Sequence, residues 1–345
     1  MKVAFFDTKP YDVEWFNRVN EAYGFSIKYF ESKLNGDTAV LAAGSEVVVA
    51  FVNDTLDRAV MDILDKGGTR LIAMRCAGTN NVDFQAAYGR IHVVRVPNYS
   101  PYAVAEHAAA LLLTLNRKTH RAFLRTRDNN FAIQGLMGMD LHGKTMGVIG
   151  TGKIGLALVS IAKGLGMEVL AYDLYPNPDA GVTYVELDEL LRRSDVISLH
   201  CPLTPETRHL INRAAIDKMK PGVILLNTSR GALIDSEALA DGLKSLKIGG
   251  AGLDVYEEEG DYFFEDLSGQ ILQDDLLARL ISFPNVLLTS HQAFFTREAM
   301  EEIAQVTLEN IAQFERGDVM PNEVCYRCTE RGKDSCKKVQ GKRCF

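Results

Sequence analysis

Gly150-Thr151-Gly152-Lys153-Ile154-Gly155 lies between the apolar run KTMGVI and the helical pattern LALVSIAKGL. Between a strand and a helix, the first glycine makes the tight turn. The second lets backbone approach a pyrophosphate, and the third allows close helix–strand packing. The helix that opens at Lys153 and Ile154 offers free N–H groups and the positive end of its dipole to phosphates. Asp173 closes the next apolar run, MEVLAYD, some twenty residues on, as a dinucleotide fingerprint requires. A carboxylate there accepts hydrogen bonds from ribose hydroxyls and repels a 2′-phosphate. The residues that follow, Leu174 and Tyr175, bring no positive charge, so the pattern reads as an NAD site rather than an NADP site.

Three further polar side chains stand at or just after the ends of apolar runs: His200 after VISL, Arg230 after VILLNTS and His291 after NVLLTS. In open α/β sheets ligands bind outside the carboxyl ends of the strands, so all three are site candidates. Position alone does not choose between the two histidines. Asp254 ends the run GGAGLDV, and Glu257-Glu258-Glu259 follow it without indicating which carboxylate has a role.

Short β-rich runs must position these groups. KVAFFD, SIKYF, EVVVAF, RLIAMR and IHVVRV alternate with helical patterns near residues 13–23 and 57–66, which predicts βαβ units around a buried parallel sheet. Pro97-Asn98-Tyr99-Ser100-Pro101 breaks the pattern, and one long helix is expected over 103–127. After the 128–140 loop, six more strands alternate with helices. A final amphipathic helix runs to a capping Gly317 and can cross back to the first half. The expected fold class is therefore α/β, with two Rossmann-like doubly wound parallel sheets and a cleft between them. Residues 1–98 with 296–322 form a flavodoxin-like substrate domain, 99–295 the NAD-binding domain, and 323–345 a Cys-rich basic extension. A chain of 345 residues exceeds what one core usually supports.

The segments GVIGTGKIG, DVISLHCPLTPET, MKPGVILLNTSRGALID, GAGLDVYEEE and NVLLTSHQAFFT resemble the D-2-hydroxyacid dehydrogenase family in order and spacing, to about residue 322. The resemblance implies a catalytic set of Arg230, Glu259 and His291, and so chooses His291 over His200. It places His200, Cys201, Pro202 and Thr228 along the cofactor, and Asp254 against the nicotinamide carboxamide. It gives Ala77 and Gly78 of RCAGTNNVD the substrate carboxylate, through their backbone N–H groups. Tyr102 and Phe294 match pocket aromatics of the D-lactate branch. The implied reaction is the reversible reduction of pyruvate to D-lactate by NADH. A guanidinium can hold both the carboxylate and the carbonyl oxygen, and a histidinium supplies the proton near neutral pH. Other 2-keto acids are the alternative within the family. A catalytically silent NAD-binding regulator is the alternative outside it, against which the joint presence of Arg230, Glu259 and His291 argues. Relatives assemble, so a homodimer or homotetramer is expected.

Net charge of -7 argues against nucleic acid or an anionic membrane as partner, and no apolar run is long enough to span a bilayer. A cytoplasmic enzyme acting on a small molecule fits. Cys325, Cys328, Cys336 and Cys344 crowd the end of the sequence. They contain one CxxC pair where a Cys₄ zinc site usually shows two, so no metal is expected and the segment reads as an extension without catalytic role.

Overall fold

Runs such as VVVA and LIAM can bury both faces only within a parallel sheet covered on each side. In the computed structural model, which describes the chain apart from residues 328–336 and 338–340, they do so in the first of two units. That unit comprises Met1–Ser100 with Thr296–Phe345, and the second comprises Pro101–Phe295. The first holds β1 (Lys2–Phe5), β2 (Ser26–Tyr29), β3 (Val47–Ala50), β4 (Leu71–Met74) and β5 (His92–Arg95). Their order is β2-β1-β3-β4-β5, all parallel. Every residue of β3 and β4 is buried. The Arg297–Arg316 helix packs on the Pro10–Asn20 helix and on β4, so the late segment completes this unit. Thr296 caps it by accepting the Ala299 amide, and Gly317 ends it in the left-handed conformation.

The second unit holds β6 (Thr145–Ile149), β7 (Glu168–Tyr172), β8 (Thr183–Tyr184), β9 (Val196–Leu199), β10 (Val223–Asn227), β11 (Ile248–Leu253) and β12 (Val286–Leu288). The order is β12-β11-β10-β9-β6-β7-β8, again all parallel, and it reverses between β6 and β9. Such a reversal opens a crevice at the carboxyl ends. β8 adds a two-residue edge to the six strands expected.

The single helix expected over 103–127 is two helices, Pro101–Arg117 and Thr119–Arg127, divided at Lys118 with φ of +51°. Asn116 accounts for the break. Its side chain donates to the Met139 carbonyl and accepts the Met139 amide, which ties the helix end to the returning loop.

Phe16 is fully buried and meets Phe5 edge-on, with ring centroids 4.7 Å apart. Truncating a buried aromatic removes its transfer energy and leaves a cavity, so Phe16→Ala should destabilise the first unit by about 3–5 kcal/mol. Chemical denaturation followed by circular dichroism measures this, and a loss below about 1 kcal/mol would mean that the core closes around the gap.

Candidate functional site

The glycine-rich turn after β6 is built by contact. Gly150 has φ of +94°, and a Cβ there would lie 2.5 Å from the Cys201 amide nitrogen. A Cβ on Gly155 would lie 2.0 Å from the Gly150 carbonyl oxygen, whereas one on Gly152 would meet nothing within 4 Å. The Lys153–Gly164 helix thus starts with no side-chain cap and with open space at Gly152, as a bound phosphate needs.

Asp173 follows β7. Its Oδ2 accepts the Thr151 amide at 2.6 Å and the Thr151 hydroxyl at 2.8 Å, and Oδ1 accepts the Tyr175 amide at 2.9 Å. Burial opposes its charge, but these donors outweigh that and hold the carboxyl below its ordinary range. It is therefore an anion able to accept ribose hydroxyls. The buried Thr228 hydroxyl has no protein partner among the described residues, which leaves it for a ligand. These residues fit a bound NAD.

The two histidines differ in their surroundings. Desolvation lowers the pKa of His200 to about 4, and its Nε2 meets Ser198 Oγ at 2.8 Å, so it is a neutral imidazole. Its neighbour Cys201 is pushed up to about 11 by burial and stays a thiol, and the Pro202 carbonyl is taken by Thr207 Oγ1. His291 instead has Nδ1 2.7 Å from Glu259 Oε1. The other Glu259 oxygen accepts the Tyr256 amide at 3.0 Å, which fixes the carboxylate in place.

The glutamate triplet divides by partner. Glu257 turns to Arg208 at 2.9 Å and His209 at 2.7 Å, Glu258 is exposed, and Glu259 alone of the three meets His291. Residues 259–261 form a 3₁₀ turn, and apart from the family spacing no sequence signal specifies which of three adjacent glutamates such a turn will aim at His291.

Arg230 follows β10 and is half-buried. Nη1 donates to the Ser229 carbonyl at 2.7 Å, and no carboxylate pairs with the guanidinium among the described residues. Asn227 donates to the Arg230 carbonyl, and Ser229 Oγ donates to the Cys201 carbonyl, so the loop is fixed on both sides. Asp254, fully buried, accepts Thr289 Oγ1 at 2.6 Å, the Gln292 amide at 2.9 Å and the Ala293 amide at 2.7 Å. Its carbonyl accepts the His291 amide at 2.7 Å. His291 itself has φ of +50°. That costs an L-residue roughly 1–2 kcal/mol, which this bracket of hydrogen bonds offsets. Phe294 is buried edge-on to Phe295, and Tyr102 is exposed on the first turn of its helix.

In the first unit, the loop after β4 carries Ala77 and Gly78. Arg95 donates to the Ala77 carbonyl at 2.8 Å and Cys76 Sγ to the Gly78 carbonyl at 3.3 Å. Both carbonyls are thereby held, while neither amide has a protein acceptor among the described residues. Buried Arg75 anchors the loop, donating to the Asp7 carbonyl at 2.8 Å and pairing with Asp12 at 3.3 Å.

Cys325 and Cys344 are buried, and Cys328 and Cys336 lie outside the described residues. Among the described residues, no three His, Cys, Asp or Glu side chains gather as a metal ion would need. No helix is long and apolar enough to cross a membrane.

Comparison with known proteins places this geometry. Residues 109–293 match the family model for the NAD binding domain of D-isomer specific 2-hydroxyacid dehydrogenases. D-lactate dehydrogenase of Escherichia coli K12 is 54% identical over 328 residues, which cover 94% of this chain and 100% of that protein. The apo structure of the E. coli enzyme superposes with a TM-score of 0.87 at 52% identity, over 94% of this chain and 100% of that one. The pyruvate reductase of Chlamydomonas reinhardtii gives a TM-score of 0.89 at 45% identity, over 93% and 98%. D-lactate dehydrogenase with NAD+ from Lactobacillus jensenii gives 0.80 at 31%, over 94% and 99%.

A hydrogen bond to a charged group contributes about 1.5–3 kcal/mol, so Asp173→Asn should weaken NADH binding roughly tenfold to a hundredfold. The preference for NADH over NADPH should narrow with it. Fluorescence titration with both cofactors reads this, and unchanged affinity for both would remove Asp173 from the ribose site.

Proposed function

The chain belongs to the D-isomer-specific 2-hydroxyacid dehydrogenase family, and on that premise we propose that it reduces pyruvate to D-lactate reversibly with NADH. It is an NAD-dependent 2-hydroxyacid dehydrogenase. The observation that carries the finer reading is Arg230, a half-buried guanidinium with no carboxylate partner among the described residues, in the same unit as the His291–Glu259 pair. A cation partly withdrawn from water without a counter-ion favours an anionic ligand.

A 2-keto acid offers Arg230 a carboxylate and a carbonyl oxygen that suit its planar fork of donors. Arg230 holds the carboxylate and draws charge onto the carbonyl oxygen. NADH, when bound, supplies the hydride to the keto carbon. His291 donates a proton to the oxygen. With Nδ1 held by Glu259, its Nε2 is the nitrogen free to face the substrate. Glu259 supports the charged imidazole and fixes the orientation of its ring.

Gly150, Gly152, Lys153, Ile154 and Gly155 take the pyrophosphate, and Asp173 reads the ribose. His200, Cys201, Pro202 and Thr228 line the cofactor, and the family resemblance assigns Asp254 to the carboxamide. Ala77 and Gly78 supply amides to the substrate carboxylate, and Tyr102 and Phe294 limit the size of the acid. Assembly as a homodimer or homotetramer is proposed on the family resemblance.

Initial rates of NADH oxidation over a panel of 2-keto acids, with the chirality of the product, test this reading. Pyruvate should lead and yield D-lactate. Preference for a branched-chain acid, glyoxylate or hydroxypyruvate would keep the mechanism and overturn the pocket assignment. Tight NADH binding without turnover of any acid would favour the regulator. His291→Asn should lower kcat by about 10²–10⁴, the usual contribution of a general acid. Arg230→Gln should cost on the order of 10²-fold or more, and Arg230→Lys should not restore it, because an ammonium lacks the planar fork.

A further inference from the structure

His107 stands in the Pro101–Arg117 helix among Ala103, Val104, Ala105, Ala108 and Leu111, all buried. An imidazole in such a setting is costly unless its polar atoms are partnered. The partners lie just after β11 and β12, on which this helix packs. Nε2 of His107 is 3.0 Å from Thr289 Oγ1 and 3.4 Å from Asp254 Oδ1. Both oxygens of Asp254 accept backbone amides, from Gln292 and Ala293, and Thr289 donates its hydroxyl hydrogen to Oδ1 at 2.6 Å. The Thr289 oxygen is then left to accept, so Nε2 of His107 carries the proton and donates it to Thr289.

The result is a directed relay from His107 to Thr289 to Asp254. Asp254 in turn holds the amides on the C-terminal side of His291 by its carboxylate and the His291 amide by its carbonyl. The segment 289–293 contains no regular structure, and His291 sits in it with a left-handed φ. The segment's own backbone supplies only a 3.2 Å bond from the His291 amide to the Thr289 carbonyl and a bond from the Phe295 amide to the Gln292 carbonyl, and Asp254 holds it from outside.

We propose that His107 is a positioning residue for the reaction, holding through Thr289 and Asp254 the backbone that aims His291. The inference rests on His291 acting as the proton donor. A reacting group displaced by about 1 Å can lose on the order of a hundredfold in rate. The full-length enzyme carrying His107→Ala should therefore lose about tenfold to a hundredfold in kcat, while KM for the keto acid and the affinity for NADH change by less than about threefold. His107→Gln, whose side-chain amide nitrogen can replace Nε2 as donor to Thr289, should recover most of that rate. His107→Asn, too short to reach Thr289, should not, and it stands in for the alanine variant if that variant fails to fold.

A fall in thermal stability with kcat per folded molecule unchanged would assign His107 to packing and overturn the proposal. So would equal rates for the Gln and Asn variants. His291→Asn serves as the control for the reading beneath. If it loses turnover while His107→Ala matches wild type, only the role of His107 falls. If His291→Asn keeps wild-type turnover, the proton-donor assignment falls and this inference falls with it.

Discussion

A sheet whose strands all run one way cannot be joined by hairpins, so each strand must be left by a crossover, and the carboxyl ends collect on one edge. In the Pro101–Phe295 unit that edge receives Gly150 after β6, Asp173 after β7, His200 after β9, Thr228 and Arg230 after β10, Asp254 after β11 and His291 after β12. Register refines the placement. Ile149 pairs with Leu199, which brings Gly150 against the His200–Cys201 backbone and leaves no room for a side chain between them. The apolar interior of the strands and the chemistry at their ends are thus two results of one pairing scheme.

The loops beyond those ends have no ladder to hold them, and both units meet this by burying a charged side chain at the base of the loop. In the second unit it is Asp254, which gathers the 289–293 segment. In the first it is Arg75, stacked over the Phe51 ring at 3.9 Å and paired with Asp12, at the start of the loop that exposes the Ala77 and Gly78 amides. Asp54 does similar work nearby, accepting the Leu34 and Phe51 amides at 2.6 Å each, and desolvation raises its pKa to about 7. Asp54 and Asp254 have both carboxylate oxygens hydrogen-bonded, and a buried polar group satisfied in this way makes the surrounding loop conformation specific.

How far the sequence could be read follows from how local each signal is. The strand–glycine–helix pattern and Asp173 were legible because turn sterics and phosphate binding constrain adjacent residues. The buried runs showed both sheets, and only β8, two residues long, was too short to register. The division at Lys118 was not legible, because it depends on Asn116 reaching a loop some twenty residues further along the chain. The same holds for the His107 contacts, since a lone histidine in an apolar helix looks identical whether or not a threonine and an aspartate from distant strands meet it. The family resemblance chose Glu259 by spacing. In the structure Glu257 turns to Arg208 and His209, and Glu259 turns to His291.

Gly231 links two of these features. A Cβ on it would lie 2.0 Å from the Tyr256 carbonyl carbon and 2.3 Å from the Glu257 amide nitrogen, so the residue after Arg230 touches the backbone that leads into Glu259. The two loops are separate in sequence but rest on each other main chain to main chain. Side chains such as Phe294 can be exchanged one at a time. Variation cannot adjust one side of this backbone contact without disturbing the other. In a lineage that diversifies its substrates, the arginine loop and the glutamate turn would therefore be inherited as a single block, with novelty confined to the side chains around them.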